Sequence, residues 1–232
     1  MEIRILPDAE TVALEAAKVI AAEARAAVAA RGRFVMAVSG GKTPWQMLRA
    51  LANESVPWPE VHVIQVDERI APAGHADRNL TQLRESLLSH APLSENQIHA
   101  MPVEETDLES AAAAYARTLA QLSGSPPVLD LVHLGLGADG HTASLIPGDP
   151  VLEVNDRDVA LCDVYQQRRR MTLTYPLINR ARKILWVVTG AEKVEMLPRL
   201  RNADALIPAG RICQNNAMVL ADRSAAEKLE PV

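Results

Sequence analysis

The chain has 232 residues, of which 48% are hydrophobic and only 3% aromatic. This length suits one large α/β domain, which we expect to span residues 1–232 and to have a core of Ala, Leu, Val and Ile. The formal net charge of −5 argues against nucleic acid as the main partner, because a phosphate backbone favours a basic protein face.

The amino-terminal sequence gives no sign of export. Residues 1–10 have neither a basic start nor an apolar core, and the Ala-rich segment 13–30 carries too many charges to cross a membrane. The two cysteines, Cys162 and Cys213, are far apart and are expected to be reduced thiols. We therefore predict a cytoplasmic protein with no membrane partner, as a monomer or small homo-oligomer.

Short apolar segments alternate with longer helical patterns along the chain. In chain order, the pattern predicts strand 2–6, helix 8–30, strand 34–38, helix 44–52, strand 61–66, helix 79–89, a helix ending near Ser123, strands 130–136, 159–164, 171–174 and 184–188, helix 191–201, and a short strand near Met218.

Three sequence features predict where helices begin. Asp8 is expected to cap the first long helix. Thr106 and Glu109 have the spacing of a capping box before the helix that ends near Ser123, and Ser224 and Glu227 have the same spacing before a predicted last helix.

Strands that alternate with helices predict an α/β fold with a mostly parallel sheet and helices on both faces. The segments 159–164 and 171–174 are predicted to be strands of a more polar part of the sheet, and we expect a smaller part to be appended to the fold. Ligands of such sheets bind beyond the carboxyl ends of the strands. This rule directs attention to the loops that follow Val38, Val66 and Leu136.

The first of these loops is rich in glycine and opens a helix. Glycine lets the backbone approach a ligand closely, and a helix start offers free N–H groups to an anion. The loop is not a Walker A motif, because that motif requires glycine where Met36 stands. A plain turn would explain the glycines alone, but a phosphate-binding role accounts for the whole segment, which consists of Ser39, Gly40, Gly41, Lys42 and Thr43.

Three charged residues, Asp67, Glu68 and Arg69, follow the strand at 61–66. Charges at the end of a buried strand are costly unless they line a cleft. Arg69 could bind a phosphate or carboxylate through its planar guanidinium, and Asp67 could accept hydrogen bonds from sugar hydroxyls. The alternative is a solvated strand end with a salt bridge, and the sequence leaves both open.

The third loop, residues 135–142, contains the spacing G-x-G-x-x-G after a strand. A dinucleotide-binding fingerprint must open a helix of several turns, whereas Pro147, Gly148 and Pro150 stop this segment early. The glycines are instead expected to place Asp139 and His141 at the edge of the sheet. An aspartate at this spacing can orient an imidazole and favour its charged form.

Basic residues elsewhere could complete an anion site. Arg168, Arg169 and Arg170 precede the strand at 171–174, where alternation directs only some of them to one side. Lys193 follows the strand at 184–188. For each of these alone, a surface role is the simpler reading. The histidines and cysteines have no metal-ligand spacing, and no G-x-S-x-G motif is present, so we predict no metal, no cofactor and no serine-esterase chemistry.

Taken together, these segments resemble the 6-phosphogluconolactonase family over nearly the whole chain. The matching motifs are S-G-G-K-T-P at 39–44, D-E-R at 67–69, D-G-H-T-A-S-L at 139–145 and T-G-A-E-K at 189–193. The resemblance implies the Rossmann-like fold of a superfamily that includes glucosamine-6-phosphate deaminase, ribose-5-phosphate isomerase and CoA-transferases. One departure is the run Asp77-Arg78-Asn79, where the family usually has Ser in the middle; Arg78 faces either the solvent or the substrate.

The resemblance implies an enzyme of the pentose phosphate pathway that hydrolyses 6-phospho-D-glucono-1,5-lactone to 6-phospho-D-gluconate. His141 would be the general base, Asp139 would orient it and stabilise its charged form, and Arg69, with loop amides, would stabilise the oxyanion. Asp67 is counted with these three among the catalytic residues. Arg170 and Lys193 would anchor the 6-phosphate with the loop at 39–43.

Two rival functions are compatible with parts of the sequence. An isomerase or deaminase on this fold needs a carboxylate soon after His141, and Asp149 is the nearby candidate. A non-catalytic sugar-phosphate sensor would usually carry a helix-turn-helix segment, for which the chain has no room before its first sheet elements.

Overall fold

The computed structural model describes residues 1–229. The last three residues of the predicted domain, 230–232, lie outside the described residues. Its strands are β1 (Glu2–Leu6), β2 (Phe34–Val38), β3 (Val61–Gln65), β4 (Asp67–Arg69), β5 (Ile98–His99), β6 (Leu131–Leu134), β7 (Val159–Tyr165), β8 (Arg168–Leu173), β9 (Lys183–Val188) and β10 (Ala217–Asp222). Its α-helices are α1 (Ala9–Arg31), α2 (Lys42–Leu51), α3 (Asn79–Leu83), α4 (Leu108–Ser123), α5 (Tyr175–Arg180) and α6 (Met196–Arg201).

Seven strands form one parallel sheet in the order β1-β10-β9-β6-β2-β3-β5. Its central strands are buried on both faces and therefore read as continuous apolar runs, as β2 does. Phe34 and Met36 pack against α1 and α2, whereas Val35 and Ala37 pack on the opposite side with α4. The α/β class, the parallel sheet and the helices on both faces are therefore confirmed.

The long helix α1 begins where the sequence predicts. The Asp8 side chain accepts a hydrogen bond from the Thr11 N–H at 2.8 Å, a cap that is typically worth about 1 kcal/mol. The helix ends at Gly32, whose φ of 73° is the left-handed conformation that glycine adopts most easily. The alanines between these ends let α1 lie close to the sheet.

The appended part is a three-stranded antiparallel sheet in the order β4-β8-β7. The chain passes from the large sheet to the small one at Val66. The Val66 N–H donates to Val38 O in the large sheet at 3.0 Å, and its carbonyl accepts from the Leu173 N–H of β8 at 2.8 Å. The β7–β8 hairpin is thereby fixed to the carboxyl ends of β2 and β3, the edge of the sheet at which ligands bind in such folds.

Three predicted details are overridden by contacts in the fold, and the helix predicted at 191–201 is a 3₁₀ turn at Ala191–Lys193 followed by α6. Residues 67–69 form a strand rather than a loop, because β8 supplies the antiparallel partner. The capping box of Thr106 and Glu109 is not formed, because Asp107 caps α4 through the Ser110 N–H.

The third error is the predicted last helix at Ser224. Residues 223–228 form hydrogen-bonded turns instead. The Asp222 carboxylate accepts from the Ala225 N–H at 2.8 Å, and the Leu229 N–H donates to Ala226 O, three residues back. These bonds favour successive turns over an α-helical ladder.

Both cysteines belong to the described part and are free thiols, with Cys162 buried and Cys213 partly buried. Within residues 1–229, none of the helices has the length and apolar character needed to cross a membrane.

Candidate functional site

A cavity of about 420 Å³ opens at the carboxyl ends of the parallel strands. Its walls come from the loops after β2 and β6, from β4, and from the β7–β8 hairpin. The lining residues are Ser39, Gly40, Asp67, Arg69, Asn79, Gly135, Leu136, Gly137, Ala138, Asp139, His141, Ala143, Tyr165, Gln166, Arg170 and Lys193. The three predicted ligand loops therefore meet at one cavity.

The imidazole of His141 is held by Asp139 at the cavity wall. Nδ1 of His141 lies 2.5 Å from Oδ1 of Asp139, and the His141 backbone N–H donates to the same oxygen at 3.1 Å. The Gly137 N–H donates to His141 O at 2.8 Å and closes the loop. Because the carboxylate binds Nδ1, the other ring nitrogen, Nε2, is available for proton transfer.

The Asp139 carboxylate has its second oxygen bound as well, since the Tyr165 hydroxyl donates to Oδ2 at 3.1 Å. Partial burial raises the pKa of Asp139, but the hydrogen bonds from His141 and Tyr165 and the charge of the imidazole outweigh it, and the net pKa lies below its ordinary value. Asp139 is therefore an anion near neutral pH and can stabilise a charged imidazole.

Two guanidiniums, those of Arg69 and Arg170, line the cavity, and one carboxylate lies near Arg170. Arg170 is buried and its Nη1 lies 3.9 Å from Asp67 Oδ2. The same Oδ2 accepts from the Ser144 hydroxyl at 2.6 Å, and Asn79 donates to Oδ1 at 3.3 Å. Burial lowers the pKa of Arg170, the charge of Asp67 raises it, and the like charge of Arg69 lowers it further.

Both guanidiniums retain a free donor. The Nε atoms of Arg69 and Arg170 are buried and have no hydrogen-bond partner within residues 1–229. Two cations against one partly neutralised carboxylate leave this wall positive, and buried unpaired donors favour a ligand that accepts hydrogen bonds. The cavity is thus suited to an anionic ligand.

The glycine-rich loop lies beside His141, and its residues divide between two spaces. Ser39 lines the cavity, Gly41, Lys42 and Thr43 line an adjoining groove, and Gly40 and Lys193 border both. The Ser39 hydroxyl is bound to His133 O at 2.9 Å, and the Thr43 hydroxyl lies 2.7 Å from that of Thr189. The Ser39 hydroxyl can therefore donate to an anion only when it gives up its hydrogen bond to His133 O.

The three successive arginines alternate, as a strand requires. Arg170 points into the cavity, Arg168 pairs with Asp77 at 3.0 Å, and Arg169 is exposed. Arg78 fits neither of its predicted orientations. It is buried, its Nη1 contacts Glu104 at 2.8 Å, and its Nε lies 3.2 Å from the fully buried Glu68. A buried carboxylate requires a counter-charge, and Arg78 supplies it.

Four residues of the site were not anticipated from the sequence: Asn79, Ser144, Tyr165 and Gln166. Asn79 and Ser144 bind Asp67. Tyr165 and Gln166 lie at the tip of the β7–β8 hairpin and carry no motif. Only the contrast between the apolar strands and the polar segment at 159–174 pointed to this hairpin. Among the described residues, no group of three His, Cys, Asp or Glu side chains is arranged to hold a metal ion.

Residues 7–221 match the model of the family described as glucosamine-6-phosphate isomerases/6-phosphogluconolactonase. The chain belongs to this family. It is 39% identical over 204 residues to a 6-phosphogluconolactonase of Synechocystis sp., covering 84% of this chain and 85% of that protein. It is 37% identical over 241 residues to the 6-phosphogluconolactonase of Mycobacterium tuberculosis, covering 98% of each.

Solved structures agree with this assignment. A 6-phosphogluconolactonase from Trypanosoma brucei superposes with a TM-score of 0.87 at 26% identity, covering 99% of this chain and 98% of that one. A monomeric glucosamine-6-phosphate deaminase superposes with a TM-score of 0.84 at 18% identity, covering 98% of this chain and 99% of the deaminase, and shows the shared fold alone. The predicted family and superfamily are confirmed.

Proposed function

We propose that this chain hydrolyses 6-phospho-D-glucono-1,5-lactone to 6-phospho-D-gluconate, a step of the pentose phosphate pathway. The proposal is supported by family membership and by relatives that bear the name 6-phosphogluconolactonase. The observation that carries it is that the His141–Asp139 pair and the Arg69–Arg170 wall line one cavity of about 420 Å³, a size suited to a small ligand.

His141 acts as the general base. Its Nε2 takes a proton from the water that attacks the lactone carbonyl carbon, while Asp139 holds Nδ1 at 2.5 Å and stabilises the resulting imidazolium. When the tetrahedral intermediate collapses, the bond from the carbonyl carbon to the ring oxygen breaks and that oxygen takes the proton back from His141. Base catalysis of this kind contributes about 10²–10⁴-fold.

Positive charge completes the site. Arg69, whose Nε is an unpaired buried donor, stabilises the negative oxygen of the intermediate. Arg170, Lys193 and the amides of residues 40–43 hold the 6-phosphate, with Asp67 fixing Arg170 in place. Binding energy from this remote group positions the carbonyl carbon against the water.

The deaminase alternative is disfavoured by the position of Asp149. Its Oδ1 accepts from the Val151 N–H at 2.8 Å and its Oδ2 from the Asp163 N–H at 2.9 Å. Asp149 thus caps the short 3₁₀ helix Pro150–Glu153. Within residues 1–229 it is not part of the cavity lining. The second acid–base carboxylate that a deaminase requires is not supplied there.

A coupled assay tests the proposal directly. The purified chain is given 6-phosphogluconolactone, unphosphorylated gluconolactone and glucosamine 6-phosphate, with product formation measured against the spontaneous rate. We expect hydrolysis of the phosphorylated lactone, a much lower kcat/KM for the unphosphorylated one, and no reaction of the amino sugar. Turnover of glucosamine 6-phosphate, or equal rates on both lactones, would contradict the assignment.

A further inference from the structure

Tyr165 contacts both halves of the site. Its hydroxyl donates to Asp139 Oδ2 at 3.1 Å, and its ring meets the His141 ring edge-on, with centroids 5.5 Å apart and an interplanar angle of 65°. The guanidinium carbon of Arg170 lies 5.0 Å from the centroid of the same ring. One side chain therefore touches the proposed base pair through its hydroxyl and ring edge, and the proposed phosphate anchor through its ring face.

The backbone around Tyr165 indicates that this position is constrained. The β7–β8 pairing shifts register between Cys162 and Tyr165. The two turn residues that follow, Gln166 and Gln167, have φ of 50° and 67°, a left-handed conformation that residues other than glycine rarely adopt. Gln166 also accepts from Arg170 Nη2 at 3.3 Å. Two successive residues of this φ form the tight two-residue turn of a β-hairpin, and this turn fixes Tyr165 opposite Arg168 at the end of β7.

We propose that Tyr165 is a positioning residue that sets the orientation of the His141–Asp139 pair and of Arg170 at once. This inference rests on the proposed lactonase function. The hydroxyl holds the second oxygen of Asp139, so that the first faces Nδ1 of His141. The ring face stabilises the Arg170 cation in the orientation that binds the phosphate. Burial and the Asp139 charge raise the pKa of Tyr165, so its hydroxyl remains a donor.

Two substitutions separate the two contacts. Tyr165→Phe removes the hydroxyl but keeps the ring, and we expect kcat to fall about threefold to tenfold with little change in KM. The pH at which kcat/KM falls to half on the acid side should also move, because Asp139 then interacts more strongly with His141. Tyr165→Leu removes the ring as well, and KM should rise by about twofold to fivefold in addition.

The control is Val164→Thr on the same strand, a β-branched exchange at a residue that is 66% exposed; it should leave both parameters unchanged. A merely structural role for Tyr165 would lower the amount of folded enzyme without separating kcat from KM or moving the pH profile. If Tyr165→Phe matches wild type in kcat and pH profile, or Tyr165→Leu has the KM of Tyr165→Phe, the proposal is overturned.

The failure of the proposed function gives a different result. If wild type hydrolyses no lactone, Tyr165 is tested by the ¹⁵N resonances of the His141 ring and by calorimetric titration with 6-phosphogluconate. Tyr165→Phe must then shift the ring resonances, and Tyr165→Leu must weaken 6-phosphogluconate binding relative to Tyr165→Phe. Unchanged resonances together with equal binding would refute the positioning role independently of catalysis.

Discussion

Gly137 and His141 are packed so closely that a Cβ atom on residue 137 would lie 2.1 Å from Nδ1 of the imidazole. The same atom would lie 2.6 Å from Oδ1 of Asp139. No side chain fits there, because real Cβ contacts are not this short. Glycine at this position is therefore required by the proximity of the His141 and Asp139 side chains and not by the conformation of the turn.

Gly137→Ala should consequently displace the His141 ring while the chain still folds. A misplacement of about 1 Å can cost about 10²-fold in rate, and we expect kcat to fall by that order. The comparison is Gly135→Ala, since a Cβ there meets no atom within 4 Å. Steady-state kinetics should show that the Gly135 variant retains most of its activity. A Gly137 variant as active as the Gly135 variant would disprove the steric argument.

Asp139→Asn tests the electrostatic part of the pair. The amide keeps the shape of the side chain but cannot stabilise an imidazolium, and we expect kcat to fall about 10²–10⁴-fold with KM nearly constant. The folded pKa of Asp139 is lowered, so its stabilising charge is present above the unfolded value of 3.8 and is lost only as the pH falls through the lower folded pKa.

The kcat of Asp139→Asn should accordingly stay below that of wild type throughout about pH 5 to pH 8, a range in which wild-type Asp139 remains charged. The exposed Asp163→Asn serves as the matched exchange elsewhere on the surface. Recovery of activity in Asp139→Asn at any pH within this range would argue against a carboxylate role.

The sequence predicted the parallel sheet well because its strands carry the pattern that burial on both faces imposes. Strands β1 and β2 have the predicted bounds. The three loops that line the cavity were also predictable, since each follows such a strand. The small sheet was anticipated only as strands of a more polar part of the main sheet, because β4 owes its strand conformation to β8, about a hundred residues later in the chain.

The site residues that escaped prediction share one property: their function depends on a long-range contact. Ser144 matters through Asp67, and Tyr165 matters through Asp139 and Arg170. Arg78 could not be placed either, because its partners Glu68 and Glu104 are brought to it by the fold. Spacing along the chain reports local geometry and carries little information on such pairings.

Lys193 and Lys42 provide a test of which lysine holds the phosphate. Lys193 borders both the cavity and the adjoining groove and is mostly buried, whereas Lys42 is exposed and borders the groove alone. A charge-assisted hydrogen bond is worth about 1.5–3 kcal/mol, so Lys193→Ala should raise KM by about tenfold or more with kcat little changed. Lys42→Ala should raise KM less.

Both lysine variants are also assayed with the unphosphorylated lactone as a second substrate. If Lys193 binds the phosphate, its removal should have little effect on that substrate. A kcat loss in Lys193→Ala that is equal on both lactones would place the lysine at the reacting carbon instead.

His133 predicts a loss of stability in mild acid. It is fully buried, its Nδ1 accepts from the Ser39 N–H at 3.2 Å, and its Nε2 has no hydrogen-bond partner within residues 1–229. Burial lowers the pKa of His133 to about 3, against 6.5 for the exposed group. Because the unfolded chain then binds the extra proton between these values, stability falls as the pH decreases from about 6.5 towards 3.

From pH 7 to pH 5, this single histidine should remove about 2 kcal/mol from the free energy of unfolding. Urea denaturation at both pH values measures the loss.

His133→Asn keeps an acceptor for the Ser39 N–H but does not titrate, so its loss should be smaller than that of wild type by about this amount, whatever its stability at pH 7. His62 and His99 also have a lowered pKa, chiefly from burial, and they add to the loss in wild type and in His133→Asn alike. His90 is exposed, and His90→Gln should lose as much stability as wild type. Equal losses in His133→Asn and wild type would mean that the buried imidazole accepts its proton without unfolding.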